Sequence, residues 1–392
     1  MEDEAKPLAP EPVIPAEPTQ AWATTPPPPD DEPVTYATPL QMMWWRFIRH
    51  KMAILGAVTL ILFYFVTVFS DFFAAYEPTT RTPYMYSPPQ TVHFIDNQGN
   101  FSLRPLVYGI GMTRDMQTLE LIYVDDKTQE YPIQFFVHSW PYKMWGLMES
   151  NLHLYGTPQG GDIFLLGTDH LARDMVSRIL FGARISLTIG LVGVFMSMIF
   201  GLIIGGISAL YGGWLDNAIQ RTIEVIISIQ SLPLLMGLSA AVPRDWSIEL
   251  TYFVFSLILS LISTTVIIRI VRGKFLSTRN LDFVTAARLY GSGEFRIIVQ
   301  HLVPSFLSYV IVRVTLDIPR MILSETALSF LGIGLRPPSI SWGVLLTQAQ
   351  NYQTVVIYPW LLVPAAFVII AVLAFSFMGD GLRDAADPFS TK

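Results

Sequence analysis

Asp282-Phe283-Val284-Thr285-Ala286-Ala287-Arg288-Leu289-Tyr290-Gly291-Ser292-Gly293-Glu294-Phe295-Arg296-Ile297-Ile298-Val299-Gln300-His301-Leu302-Val303-Pro304 lies between two long apolar runs. It reads as a short helix, a glycine break and a second amphipathic helix that stops at a proline. Gly291 can adopt positive φ and end the first helix in a sharp turn, and Ser292 can cap the second. Ala286 and Ala287 are small enough to let another protein surface approach the backbone. Phe283 and Leu289 are apolar anchors of the kind a helix-in-groove contact uses. Taken alone, the pattern equally suits a plain connector at a membrane interface.

The rest of the chain supplies the membrane. Of 392 residues, 52% are hydrophobic and 14% charged, against about 25% charged in soluble domains. A spanning helix needs roughly 20 mostly apolar residues. Met52–Ala75, Ile185–Leu210, Thr222–Val242 (interrupted by Pro233), Leu250–Ile270, Ser305–Leu331 and Tyr358–Met378 supply six such runs. Arg46, Arg49, His50 and Lys51 precede the first, with Trp44 and Trp45 at interfacial level, so the positive-inside rule places the N-terminus in the cytoplasm. Six crossings return the C-terminus to the same side. They also place the basic stretch holding Arg272, Lys274, Arg279, Arg288 and Arg296 inside, in agreement with the first span. The expected class is an all-α polytopic membrane protein with a small β-rich external insert.

The segments between are read by composition. Residues 1–41 form an acidic, proline-rich cytoplasmic tail expected to be disordered: positions 1–40 hold eight acids, one lysine and eleven prolines, too little apolar surface to offset ordering. Residues 42–76 carry the first span. Residues 77–166 form the insert, with hairpins expected at Thr91–Asp96/Phe101–Tyr108 around Asn97-Gln98-Gly99-Asn100 and at Thr118–Val124/Tyr131–Val137 around Asp125-Asp126-Lys127-Thr128. Residues 167–184 predict an interfacial amphipathic helix, capped by Asp169 and carrying an Asp174/Arg178 pair. Residues 185–381 form a five-helix core with loop 273–303, and 382–392 a cytoplasmic tail. Gly201 and Gly205 stand at the spacing that lets spanning helices approach closely. Pro233 is expected to kink its span.

Several chemistries find no support. No cysteine occurs, which excludes disulfides and thiolate sites. The histidines show no metal-ligand spacing, and His153 and His170 read as surface residues. No phosphate-binding glycine loop or nucleophile elbow is present, and no basic run suggests nucleic acid. Arg313, Asp317, Arg320 and Glu325 share one apolar run. Charge in hydrocarbon is costly and marks a translocation pathway by default, the plain alternative being a lock between helices. Glu224 follows Arg221 where a headgroup-level or inter-subunit ion pair is expected.

The opening loop resembles the signature of permease subunits in binding-protein-dependent ABC importers: an acid, two alanines, three residues, a glycine, then nine residues to the closing His301-Leu302-Val303-Pro304. Thr285 departs from the usual glutamate. The resemblance extends to the dipeptide/oligopeptide permeases, second-subunit type, over about residues 42–76 and 163–390. It is carried by Leu166-Gly167-Thr168-Asp169-His170-Leu171-Ala172-Arg173-Asp174, Gly182-Ala183-Arg184-Ile185-Ser186-Leu187, Tyr211-Gly212-Gly213-Trp214-Leu215-Asp216, Glu325-Thr326-Ala327-Leu328-Ser329-Phe330-Leu331-Gly332, Pro337-Pro338, Ser341-Trp342-Gly343, Gly379-Asp380-Gly381-Leu382-Arg383-Asp384 and Asp387-Pro388. The insert departs from that pattern.

The resemblance implies a non-catalytic subunit in the cell membrane that binds no cofactor itself. A second permease subunit would complete a heterodimer, two ATPase subunits would carry ATP and Mg, and an extracytoplasmic substrate-binding protein would deliver cargo. It further implies that Asp282, Phe283, Thr285, Ala286, Ala287, Leu289, Gly291 and Arg296 couple to the ATPase. Dipeptides or oligopeptides are the expected cargo, with oligosaccharides or nickel as alternatives. A secondary transporter would show inverted repeats, which are not evident. An anchored external binding module would leave five spans unexplained.

Overall fold

His50 separates the first two helices, α1 (Pro39–Arg49) and α2 (Lys51–Val68), and its Nδ1 accepts from the Ala53 N–H at 3.1 Å. A ring nitrogen thus satisfies one of the orphan donors at a helix start. The computed structural model describes residues 39–96, 100–114, 116, 121–157, 161–243, 245–278, 280–297, 300 and 307–386. The tail up to residue 38, the Asn97-Gln98-Gly99 turn, Arg279, the loop ending His301–Pro304 and Asp387-Pro388 lie outside the described residues.

After a single turn, α3 (Ser70–Phe73), the chain enters two small antiparallel sheets. Strands β1 (His93–Ile95), β2 (Phe101–Arg114) and β3 (Leu121–Pro132) form one, and β4 (Gln134–Met144) and β5 (Met148–Gly156) the other. The first expected hairpin pairs as β1 with β2. The second does not form. Tyr108 faces Glu130 while Gly109 faces Asp126, so Asp125-Asp126-Lys127-Thr128 sits inside β3 beside a bulge. There Asp126 Oδ1 accepts from the Thr128 N–H at 3.0 Å and its Oγ at 2.6 Å. The turn chemistry is real, but it is absorbed as a bulge because β2 continues past it as a partner. His153 is fully buried beneath Trp140, whose carbonyl lies 2.9 Å from its Nε2, which corrects the surface reading.

The membrane core begins with α4 (Met175–Tyr211), followed by α5 (Gly213–Ser228), α6 (Ser231–Ala240) and α7 (Ile248–Thr278). No separate surface helix precedes it. Asp174, not Asp169, caps α4, accepting from the Ser177 N–H at 2.7 Å. Arg178 turns back 3.5 Å from the Asp169 carboxylate instead of pairing with Asp174. The polar stripe that predicts an interfacial helix is neutralised inside the protein, so the helix runs unbroken into the apolar segment.

Gly201 and Gly205 seat α4 against α7: a Cβ at Gly205 would meet the Ile268 carbonyl oxygen at 2.9 Å, and one at Gly201 would overlap Ile267. The run around Pro233 is broken by a 94° bend between α5 and α6. The break falls at Ile229 and Gln230, with Pro233 in the first turn of α6, where its missing N–H costs no helical bond. Helix α7 continues past Ile270 to carry Arg272 and Lys274. The bundle closes with α10 (Leu307–Phe330), the short α11 (Trp342–Leu346) and α12 (Tyr352–Ile357), and α13 (Val363–Ala386). Between α7 and α10 stand the small helices α8 (Asp282–Leu289) and α9 (Glu294–Ile297).

Among the described residues four helical runs are long and apolar enough to span a bilayer, and five if the bent α5–α6 pair counts as one. Helix α10 is long enough at 24 residues but carries Arg313, Asp317, Arg320 and Glu325. The chain is a multi-pass membrane protein.

Candidate functional site

Helix α8 is anchored on one face and bare on the other. Val284 and Ala287, three residues apart, are buried in one apolar cluster with Phe275 and Val271 of α7, Met198 and Ala209 of α4, and Ile297. The opposite side presents Phe283, Thr285, Ala286 and Leu289, with Leu289 84% and the following Tyr290 91% exposed. Ala287 therefore serves packing within the chain, and Ala286 is the small residue left open to an outside surface. Thr285 Oγ1 donates to the Leu281 carbonyl at 3.3 Å, within its own turn.

The helix stop is a Schellman motif. Gly291 N–H donates to the Arg288 carbonyl at 2.9 Å and Ser292 N–H to the Ala287 carbonyl at 3.1 Å, with Gly291 at φ +78°. No atom crowds the Gly291 position, so the demand for glycine comes from backbone conformation alone. Asp282 lies in the first turn and Arg288 in the last, the polarity the helix dipole favours. In α9, Arg296 is exposed and its Nε donates to Gln300 at 3.1 Å.

Beneath this platform, Arg272 grips Asp216 with two bonds, Nε to Oδ1 at 2.7 Å and Nη2 to Oδ2 at 2.6 Å, tying α7 to the start of α5. Arg221 and Glu224 pair with each other at 2.8 Å on the exposed face of α5.

The four charges of α10 divide into two groups. Asp317, nearly buried, lies between two guanidinium groups: Arg313 Nε at 2.8 Å on one oxygen and Arg320 Nη1 at 3.2 Å on the other. Arg320 is largely exposed on the surface of the chain. Glu325 stands apart and is fully buried. Its Oε1 accepts from Ser341 Oγ at 2.7 Å and Ser329 Oγ at 2.9 Å, and its Oε2 from Ser186 Oγ at 3.4 Å. Those hydroxyls in turn accept from the N–H groups of Val344, Leu335 and Trp342. Glu325 thus positions the 332–341 loop and α11 against α4. It has no exposed surface within this chain.

Sequence reading alone missed that hydroxyl cage and a second polar centre. Asp169 is fully buried, accepting from the Leu171 and Arg173 N–H groups at 2.8 and 2.9 Å and from Arg173 Nη2 at 2.6 Å. Burial works to raise its carboxyl, yet the bonds from Arg173 and the charge of Arg178 hold it below its ordinary value. Burial pushes Asp174 the other way, up to about 6. At the end of α7 away from α8, a cavity of about 190 Å³ is lined by Ser239, Trp246, Phe255, Arg336, Pro337 and Pro338.

Residues 197–392 match the family described as binding-protein-dependent transport system inner membrane component, and residues 38–89 match the N-terminal TM domain of oligopeptide transport permease C. The oligopeptide transport system permease protein OppC of Haemophilus influenzae is 36% identical over 65% of this chain and 78% of its own. The dipeptide transport system permease protein DppC of the same organism is 28% identical over 91% and 98%. A solved inward-facing MetNI methionine ABC transporter aligns over 54% of this chain and 97% of that one at 19% identity, with a TM-score of 0.39. The chain belongs to the binding-protein-dependent transport system inner membrane component family, the permease subunits of ABC importers.

Proposed function

We propose that this chain is one of two permease subunits of an ATP-driven peptide importer, and that α8 is the joint on which a separate ATPase acts. The observation that carries the reading is the two-faced α8: Val284 and Ala287 are buried in one apolar cluster with residues of α4 and α7, while Phe283, Ala286, Leu289 and Tyr290 are bare. A short rigid helix held this way passes a push to the spanning helices without bending. The names of the relatives, dipeptide and oligopeptide permeases, support peptide cargo.

In this reading α10 completes six spans with the five counted by length and composition. Asp317 shielded by two arginines offsets much of its cost in hydrocarbon. The basic residues before α2 and along the end of α7 favour both termini on the cytoplasmic side. A second permease completes the pore, two ATPases hold ATP and Mg, and an extracytoplasmic receptor delivers peptide. ATP-bound ATPases favour one tilt of the bundle over the other, and α8 transmits that difference as a population shift. The Arg313–Asp317–Arg320 triad offers both signs of charge, suited to the termini of a peptide.

Purification of the intact complex tests the assembly: a second permease and ATPase chains should accompany this one. Reconstituted with its receptor, it should couple ATP hydrolysis to uptake of dipeptides or oligopeptides. Uptake of an oligosaccharide or nickel instead would reject the cargo and keep the importer. Absence of any ATPase partner would reject both.

A further inference from the structure

The reversal between β4 and β5 is closed by Gly146 N–H to the Lys143 carbonyl at 3.1 Å and Leu147 N–H to the Met144 carbonyl at 3.0 Å. Trp145, at its start, has φ +52°, a left-handed backbone that a bulky residue adopts at a cost and that glycine or asparagine would take readily. The indole makes contacts there that neither glycine nor asparagine could make. Its Nε1 donates to the Val68 carbonyl at 3.1 Å, at the last residue of α2, and its ring lies 5.5 Å from that of Phe69. Farther up β4, Phe136 lies 6.2 Å from Phe72 of α3. The hairpin is fastened to the end of a membrane-spanning helix.

The other side of this contact is apolar and uncovered. Leu147 is 84% and Met148 62% exposed, and Phe135 and Trp145 are each more than half exposed. What covers them follows from continuity. Ile54, Val58, Ile61, Phe65 and Val68 are exposed along one stripe of α2 at three- and four-residue spacing, the surface a spanning helix turns to lipid. Phe65 stacks near Phe69 at 5.0 Å, and Phe69 meets Trp145, so the stripe passes onto the hairpin without a polar gap.

Charges fix the level. Arg184 pairs with Asp71, just beyond Val68, and also bonds the Thr67 carbonyl. Lys143 pairs with Glu149 at 3.0 Å across the hairpin, directly behind its tip. Charge of this density marks the edge of hydrocarbon, the depth at which tryptophan is most favoured.

We propose that the β4–β5 tip, Trp145 to Met148, inserts into the headgroup–acyl boundary of the bilayer beside α2, making the strand-rich segment a lipid-anchored element. Trp145 is the pin between helix and hairpin. Leu147 and Met148 are the inserted side chains, and Lys143 stands where lipid phosphates lie.

The absence of cysteine gives a direct test. Leu147→Cys and Met148→Cys, each spin-labelled in the complete importer with cysteine-free partners, are compared with Asp125→Cys in phosphatidylcholine/phosphatidylglycerol nanodiscs. The ratio of collision with oxygen to collision with a water-soluble nickel chelate should be several-fold higher at both tip positions than at Asp125→Cys. A tip ratio equal to that at Asp125→Cys places the hairpin in water and overturns the proposal. Low accessibility to both reagents places it under a protein partner and overturns it equally.

Discussion

Ser341 Oγ donates to Glu325 Oε1 at 2.7 Å, joining the cap of α11 to the C-terminal part of α10 across 16 residues of chain. Every hydroxyl on this carboxylate also holds a backbone N–H of the loop or of α11, except that of Thr326, 3.5 Å away. Glu325→Ala leaves several buried hydroxyls without an acceptor, each worth about 1–3 kcal/mol. The variant should unfold in detergent well below the wild type. Glu325→Gln keeps an acceptor oxygen and should lose less than half as much, as followed by tryptophan fluorescence on heating.

The exposed side of α8 separates coupling from folding. Leu289→Asp and Tyr290→Asp change residues with almost no neighbours and should leave thermal stability within about 0.5 kcal/mol. ATPase chains should nonetheless be lost from the purified complex, or their hydrolysis should no longer respond to receptor and peptide. Val284→Asp, by contrast, buries a charge against Phe275 and should unfold the joint itself. Full ATPase retention in Leu289→Asp, with hydrolysis still responding to receptor and peptide, would remove α8 from the coupling path.

The helix and glycine break of residues 282–291 were legible in sequence because their signal is local: a glycine that can take positive φ stands just past the end of a short helical run. The apolar runs were legible for the same reason, since length and composition fix them. Asp169 with Arg178 was not, because the polar stripe 170–178 looks identical whether it faces water or a buried carboxylate nine residues earlier. The β3 bulge was hidden by similar logic. Asp126 and Thr128 announce a turn, and only pairing with β2 decides that the chain continues. The split of Arg313, Asp317 and Arg320 from Glu325 depends on helical phase and on Ser186 and Ser341, which stand 139 and 16 residues away.

Close packing of α4 on α7 rests on two glycines. Gly205→Leu would drive a side chain into the Ile268 carbonyl and Val271, an overpacking that costs about 1–3 kcal/mol. Gly237→Ala, with no atom near the new Cβ and a gain in helix propensity, should be neutral or slightly stabilising. Both follow from thermal melts of the purified complex.

The triad on α10 makes a transport prediction. Asp317→Asn leaves Arg313 and Arg320 without their shared carboxylate, so peptide uptake should fall at least tenfold, about 1.4 kcal/mol at the limiting step. If charged termini of the cargo meet these arginines, the loss should be larger for free peptides than for peptides blocked at both ends. Equal losses would assign the triad to helix packing.

Asp174 gives the pH dependence. Its carboxyl is raised from 3.8 to about 6 by burial, so the folded protein holds this proton more tightly than the unfolded chain. The contribution is full below about pH 4 and is lost as pH rises through about 6. Asp169, held below its ordinary value, acts in the opposite sense and weakens the fold as pH falls from that ordinary value through the lowered one. Asp174→Asn keeps a capping oxygen for Ser177 but removes the titration. Relative to wild type it should gain about 2 kcal/mol between about pH 4.5 and 7.5, read as a crossing of the two melting-temperature profiles. Parallel profiles would mean that the Asp174 carboxyl titrates alike in the folded and unfolded chain.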